Sequence, residues 1–273
     1  MTLAKPRRWK VWSRSKDVTA PLLLFIAIVA AWETLVRSLA VPGYVLPPPS
    51  QIAIEIVRDR GIIFDQLLTT LFEIACGYAL SVLVGFCLSI LIVYSSAFRR
   101  GVLPLIVASQ TIPVIAMAPI LVIWFGYNSA PRIIITALVA FFPLTISFVT
   151  GLQAIGPEFI DFFRSLNASE IQIFFKLRLP AALPNIFGGL KVATTLAVIG
   201  ATIGEWVGAS AGLGYLMAQD TAQLNTARVF AALVVLGAFG MAFFAAVGLI
   251  ERWSMPWVYG QPFFARMWQS RAA

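Results

Sequence analysis

Six stretches of this chain carry almost no charge over lengths that match a lipid bilayer. The runs 101–131, 133–157 and 229–250 contain no Asp, Glu, Lys or Arg. The run 18–40 is interrupted only by Glu33 and Arg37, 67–96 only by Glu73, and 192–207 only by Glu205 near its end. A spanning helix needs ~20 mostly apolar residues. Each charge at the centre of a span costs ~2.5–3.5 kcal/mol. The pattern predicts an all-α membrane protein with six transmembrane helices. The runs are too long and too uniformly apolar for barrel strands of ~10 alternating residues. Over the whole chain 60% of residues are hydrophobic and 12% charged, against ~25% charged in ordinary soluble domains. That balance excludes a soluble enzyme of ordinary type and a disordered chain.

The net charge of +8 would suggest nucleic acid in a soluble protein, but here it reads as a topology signal. With the N-terminus inside, fifteen of the 20 basic residues fall on the inner side, and only Arg37, Arg58, Arg60, Arg132 and Arg228 fall outside. The positive-inside rule selects this N-in/C-in arrangement, and no nucleic-acid partner is needed. The basic start followed by an apolar run resembles a signal peptide, yet the run is too long for an h-region and no A-x-A site follows before Glu33. It is expected to stay as the first span. Trp9, Trp12, Trp253 and Trp257 flank the first and last spans as interfacial anchors.

Chemistry on the chain itself is limited. Histidine is absent, which removes the commonest general base and metal ligand. Cys76 and Cys87 match no metal or redox spacing and read as buried small hydrophobes. No catalytic residue and no metal site is expected. There is no G-x-x-x-x-G-K-[ST], so the chain does not cradle ATP itself.

The connections are short or rich in small residues, with two exceptions. The first outer loop is proline-rich through Pro47-Pro48-Pro49 and is expected to restart a helix at Ser50. The other is a segment on the inner side, between the fourth and fifth runs, where charged residues alternate with Phe159, Phe163, Leu166, Ile171, Phe174 and Phe175. Spacings of three and four predict two amphipathic helices. They part at Asn167-Ala168-Ser169: Asn tolerates a positive φ and Ser169 can cap the second helix. Pro180 and Pro184 are expected to stop that helix before the fifth span. A loop this long usually has a task. Docking on a partner and packing on the chain's own bundle or the lipid interface both fit the pattern.

This segment resembles the E-A-A-x₃-G-x₉-I-x-L-P signature, the EAA loop, of the membrane subunits of prokaryotic ABC importers. Here it reads Asp161-Phe162-Phe163-Arg164-Ser165-Leu166-Asn167, nine residues, then Leu177-Arg178-Leu179-Pro180. Asp stands for Glu, a Phe pair for Ala-Ala, Asn167 for Gly and Leu177 for Ile. Gln110-Thr111-Ile112-Pro113, Ala118-Pro119-Ile120, Trp124-Phe125-Gly126, Phe141-Phe142-Pro143, Glu205 and Gly212-Leu213-Gly214-Tyr215 extend the likeness to permeases of the nitrate/sulfonate/taurine type. The resemblance implies a permease, not an enzyme, sitting in the prokaryotic cell (inner) membrane as a multi-pass protein. It implies a permease homodimer, a separate cytoplasmic ABC ATPase subunit that holds ATP and Mg, and an extracytoplasmic solute-binding protein. It implies that Asp161, Phe162, Phe163, Ser165, Asn167, Ala168, Leu177, Leu179 and Pro180 form the ATPase-docking loop. The solute would be a sulfonate- or nitrate-type anion, or a pyrimidine- or riboflavin-type vitamin precursor, with the third span and the C-terminal Leu249-Ile250-Glu251-Arg252-Trp253 slightly closer to the second.

On this reading residues 1–17 are a basic cytoplasmic N-terminus, 18–40 the first transmembrane helix and 41–66 an extracytoplasmic loop. Residues 67–250 form a five-helix permease core with a coupling loop at 152–189, and 251–273 a cytoplasmic C-terminus. Gln110, Thr111 and Glu205 are candidates for the translocation pathway or gate. For Gln110 and Thr111 the competing reading is repair of carbonyls freed by Pro113. Glu73 fits an S/T-x-x-E cap with Thr70 at the outer start of the second span, or a solute contact. Glu33 and Arg37, four apart, fit a helical ion pair. An ion-coupled secondary transporter is the main rival, but it would show buried ionisable groups that the third, fourth and sixth spans lack.

Overall fold

Arg60–Tyr94 forms one uninterrupted helix of 35 residues in the computed structural model, which describes residues 16–259. The basic segment 1–15 with Trp9 and Trp12, and residues 260–273, lie outside the described residues. The helices are α1 (Lys16–Ser38), α2 (Pro49–Arg58), α3 (Arg60–Tyr94), α4 (Ser96–Ser109), α5 (Val114–Phe125) and α6 (Ser129–Leu152). They continue as α7 (Pro157–Ser165), α8 (Glu170–Ile173), a π-helical turn (Phe174–Arg178), α9 (Leu179–Gly208), α10 (Leu213–Ala222), α11 (Thr226–Ser254) and α12 (Pro256–Tyr259).

The described residues divide into two compact units, one formed by 16–60 with Asp220–Ala231, the other by Gly61–Gln219 with 232–259. In the first unit, the expected Glu33–Arg37 pair forms at 2.5 Å and does a second job. Glu33 accepts the Ser50 backbone N–H at 3.0 Å and its hydroxyl at 2.8 Å. A carboxylate thus sits at the start of α2, where free N–H groups favour negative charge. α2 begins one residue earlier than expected, at Pro49, a position that needs no N–H. Arg228 is held by Asp220 and, at 3.1 Å, by Asp59.

The second unit is built on the pairing of α6 with α9. Gly189, Ala193, Ala197, Gly200, Ala201 and Gly204 of α9 are all buried. A Cβ at Gly200 would lie 2.8 Å from the Thr136 Cα, and one at Gly189 would lie 2.5 Å from the Ser147 Cβ. The small stripe lets the two backbones approach as closely as membrane helices do. Ile74, Leu144, Phe148, Leu152, Ala182 and Ile186 fill the core around it, and Phe86 of α3 meets Phe148 edge-on at 5.7 Å.

Cys76 is half-buried and Cys87 exposed, so the expected burial of both is not met. Three further expectations are corrected. First, α3 takes in 60–66, which the sequence placed in the outer loop, because Ile62, Ile63 and Phe64 extend the apolar run. Thr70 and Glu73 therefore lie inside a helix, both fully buried, and do not cap its start. Second, the third span is not continuous: α4 and α5 meet at 98° across Gln110–Pro113. Pro113 lacks an N–H and disfavours helix in the residue before it. Third, Pro180 and Pro184 do not separate the loop helix from the fifth span. Pro180 occupies the first turn of α9, and Pro184 lies within it. The π-helical turn joins α8 to α9 without a break, with the Leu179 N–H bonded to the Phe174 carbonyl five residues back. Residues 179–189, expected within the connecting segment, are thus already part of the α9 helix.

Among the described residues, five helical stretches are long and apolar enough to cross a membrane, with α4 and α5 as a bent sixth. Contacts at the helix ends fix the path of that pair. Arg132, at the start of α6, pairs with Glu73 in the first half of α3 and donates to the Ala211 carbonyl just past α9. At the opposite end, Arg178 before α9 donates to the carbonyl of Leu152, the last residue of α6, and lies over the ring of Tyr94, the last residue of α3. α4 starts at the Tyr94 end and α5 finishes at the Arg132 end. The pair crosses from one to the other, as a broken span and not a re-entrant loop.

Candidate functional site

The segment between α6 and α9 is a small, self-stabilised structure. Pro157 opens α7 after Gly156. Asn167 closes it with φ +57°, as its residue type permits, and the Ala168 N–H returns to the Phe163 carbonyl at 3.1 Å. Ser169 then caps α8 in a reciprocal box with Gln172, at 3.3 and 2.9 Å. Arg164 bridges the two helices through Glu170 at 2.8 Å. That carboxylate strengthens the guanidinium's hold on its proton and pushes its pKa up.

Ile160 and Ile173 turn inward and are buried, whereas Phe159, Phe162, Leu166, Ile171 and Phe175 are exposed; Phe162 shows 59% of its surface and Ile171 70%. Scattered exposed apolar residues are ordinary. Five large ones on α7, its C-cap, α8 and the π-helical turn make a patch of the kind that marks an interaction site. The expected docking residues fall into two sets. Asp161, Phe162, Ser165 and Asn167 are exposed, while Phe163, Ala168, Leu177, Leu179 and Pro180 are half-buried.

The opposite end of the bundle holds a buried polar cluster. Glu73, Arg132 and Glu205 are each at most 5% exposed, and Arg132 Nη1 lies 2.8 Å from Glu73 Oε1. The cluster grips the connection after α9. Gln66 accepts from the Gly212 N–H at 2.5 Å, Thr70 from Leu213 at 2.8 Å and Glu205 from Gly214 at 2.5 Å. Arg132 donates to the Ala211 carbonyl at 3.2 Å. Four successive residues, the last two of the connection and the first two of α10, are therefore held by side chains of α3, α6 and α9. Gly212 has φ +117°, and a Cβ at Gly214 would lie 2.8 Å from a Glu205 oxygen. Both positions need glycine for the carboxylate to reach the first turn of α10.

The pathway candidates separate in space. Gln110 and Thr111 lie exposed at the break between α4 and α5. The Thr111 hydroxyl donates to the Ala108 carbonyl at 2.8 Å, which already accepts the Thr111 N–H; the carbonyl four residues before Pro113 is that of Ser109, so this bond does not repair it. Glu205 is instead buried in the polar cluster. Sequence reasoning did not single out Gln66 and Arg132 as members of the buried polar cluster, or Arg178 as a link between α9 and the end of α6. Arg132 was visible as a lone charge between two uncharged runs, and its partner Glu73 as a lone opposite charge in another. Among the described residues no three His, Cys, Asp or Glu side chains gather as a metal site.

Comparison with known proteins gives the following. The family model described as binding-protein-dependent transport system inner membrane component matches residues 77–255. The formylaminopyrimidine transport permease protein ThiX of Halalkalibacterium halodurans is 39% identical over 245 residues, covering 89% of this chain and 98% of that protein. The taurine transport system permease protein TauC of Escherichia coli is 27% identical over 259 residues, covering 92% and 93%. Among solved structures, a chain of the MetNI methionine ABC transporter in an inward-facing conformation aligns with TM-score 0.62 at 21% identity, covering 71% of this chain and 97% of that one.

Proposed function

Because the chain belongs to the binding-protein-dependent transport system inner membrane components, the permeases of ABC importers of the nitrate, sulfonate and taurine type, we propose that it carries a small heterocyclic solute inward, driven by a cytoplasmic ATPase seated on α7 and α8. Membership of this family removes the ion-coupled secondary transporter as a reading. The observation that supports the seat is the exposed apolar patch, held on two capped and ion-paired helices between spans. The charge balance of the loops puts that segment in the cytoplasm. ATP and Mg bind on the ATPase, a solute-binding protein delivers cargo from outside, and two permease copies form the pathway in the cell membrane of a prokaryote. The solute class rests on the formylaminopyrimidine permease, 39% identical over nearly its whole length.

Phe162→Glu and Ile171→Glu each place a charge in the patch. Each is expected to abolish copurification with the ATPase while membrane insertion stays at the wild-type level. Copurification retained in both variants counts against the seat. For the solute, proteoliposomes holding the complete importer should accumulate labelled formylaminopyrimidine from a loaded binding protein. Accumulation of taurine alone overturns the heterocycle.

A further inference from the structure

We infer that Arg178 is a positioning residue that carries motion of the docking helices into the inner ends of α3 and α6; this rests on the docking reading above. The π-helical turn Phe174–Arg178 lies between the seat and the fifth span. Such turns are rare, weakly bonded and frequent at functional places. Left alone, it would act as a hinge: a push on α8 would bend the turn and leave the spans where they are.

Arg178 closes that hinge. Its Nη1 donates at 3.0 Å to the carbonyl of Leu152. As the final residue of α6, Leu152 offers an oxygen with no partner in its own helix, at the negative end of the dipole. The guanidinium carbon stands 5.4 Å from the Tyr94 ring centroid, within cation–π range. Phe174, at the other end of the turn, meets the same ring at 6.4 Å. One side chain and one ring thus tie the turn to the ends of both neighbouring spans. The contact suits arginine, since a planar guanidinium can stack on a ring and donate in its plane, whereas an ammonium cannot. Arg178 Nε is buried with no hydrogen-bond partner among the described residues. The group is held there at a cost, as expected of a side chain kept for its position.

The test uses the complete importer in proteoliposomes, reading ATPase copurification, ATP hydrolysis and solute uptake together. Arg178→Met keeps the apolar stem and removes the charge and the donors. It is expected to leave copurification and hydrolysis near wild type and to lower solute taken up per ATP by at least about tenfold, the order set by losing one charged hydrogen bond. Arg178→Lys, which can still reach the Leu152 carbonyl, is expected to recover part of that loss. Tyr94→Leu removes the ring alone, should lower the same ratio, and keeps the test open if Arg178→Met does not insert. Wild-type uptake per ATP in both Arg178→Met and Tyr94→Leu overturns the proposal. So does a parallel fall in hydrolysis and uptake, or loss of copurification in Arg178→Met. The two readings fail separately. If Phe162→Glu and Ile171→Glu leave the ATPase bound, the seat is wrong. If they release it and Arg178→Met transports normally, only the role of Arg178 is wrong.

Discussion

Arg132→Met should be among the most destabilising single substitutions in the second unit. Arg132 and Glu73 lie 2.8 Å apart with side chains 6% and 0% exposed, and Glu205, 1% exposed, shares the same pocket. Removing the guanidinium leaves two buried carboxyls with no counter-charge and frees the Ala211 carbonyl. Breaking a buried pair by deleting one partner typically costs ~3–5 kcal/mol. The outer pair Glu33–Arg37 is the control. Its arginine is 64% exposed, so Arg37→Met is expected to cost no more than ~1 kcal/mol. The assay is denaturant unfolding of the purified protein in mild detergent, followed by tryptophan fluorescence. A double-mutant cycle makes it sharper. Glu73→Gln combined with Arg132→Met leaves one carboxyl fewer uncompensated, and is expected to be more stable than Arg132→Met alone by ~1–3 kcal/mol. If Arg132→Met behaves like Arg37→Met, or if the double variant is the sum of the singles, the cluster is not a mutually dependent buried pair and the reasoning is wrong.

Three further outcomes follow from the packing. Gly200→Val drives a branched side chain into the Thr136 backbone, where even a Cβ has only 2.8 Å; it should lower stability in detergent by ~1–3 kcal/mol, whereas Gly237→Ala, with nothing within 4 Å, should leave it unchanged. Glu205→Ala removes the acceptor at the start of α10, so amide hydrogen exchange at Gly214 is expected to quicken by at least about tenfold, and unchanged exchange would show that Gln66, Thr70 and Arg132 hold the connection without Glu205. Asn167→Gly should keep ATPase copurification at the wild-type level, while Asn167→Val, forced to φ +57° at a cost of ~1–2 kcal/mol, should weaken it.

The number of spans was legible because a bilayer enforces it: a charge inside a span is costly, so its absence over 20-odd residues is a strong signal. Their ends were less so. Residues 60–66 include Asp65 and Gln66 and read as loop, yet Gln66 is the acceptor for Gly212. A polar residue whose partner lies 146 positions away leaves no local trace. Pro113 and Pro180 show the same limit from the other side. Both carry the same local signal, a residue without an N–H and with fixed φ. One marks a 98° break, the other the first turn of a helix that runs on through a wider turn. Which outcome follows depends on whether the neighbouring helices supply partners for the freed carbonyls, and that is a tertiary fact.

The same division holds at the functional segment. Asn167 and Ser169 were readable because αL tolerance and N-capping are properties of one residue and its immediate neighbours, and both form. The apolar periodicity was readable too, but not which residues it would leave exposed. Ile160 and Ile173 are buried while Phe162 and Ile171 remain open, and nothing in the spacing separates the two pairs. Arg178 was legible only as a positive charge near a helix end. Its role needs three chain segments, ending at Tyr94, Leu152 and Phe174, to arrive at one place. The same logic separates Glu205 from Gln110 and Thr111. All three are isolated polar residues in apolar runs. Only the fold shows that Glu205 spends both carboxylate oxygens on Thr70 and Gly214, while Gln110 and Thr111 stand exposed at a bend. Gln110 and Thr111, unlike Glu205, are not committed to a helix cap, which makes the α4–α5 break the better place to begin a mutational search for pathway contacts.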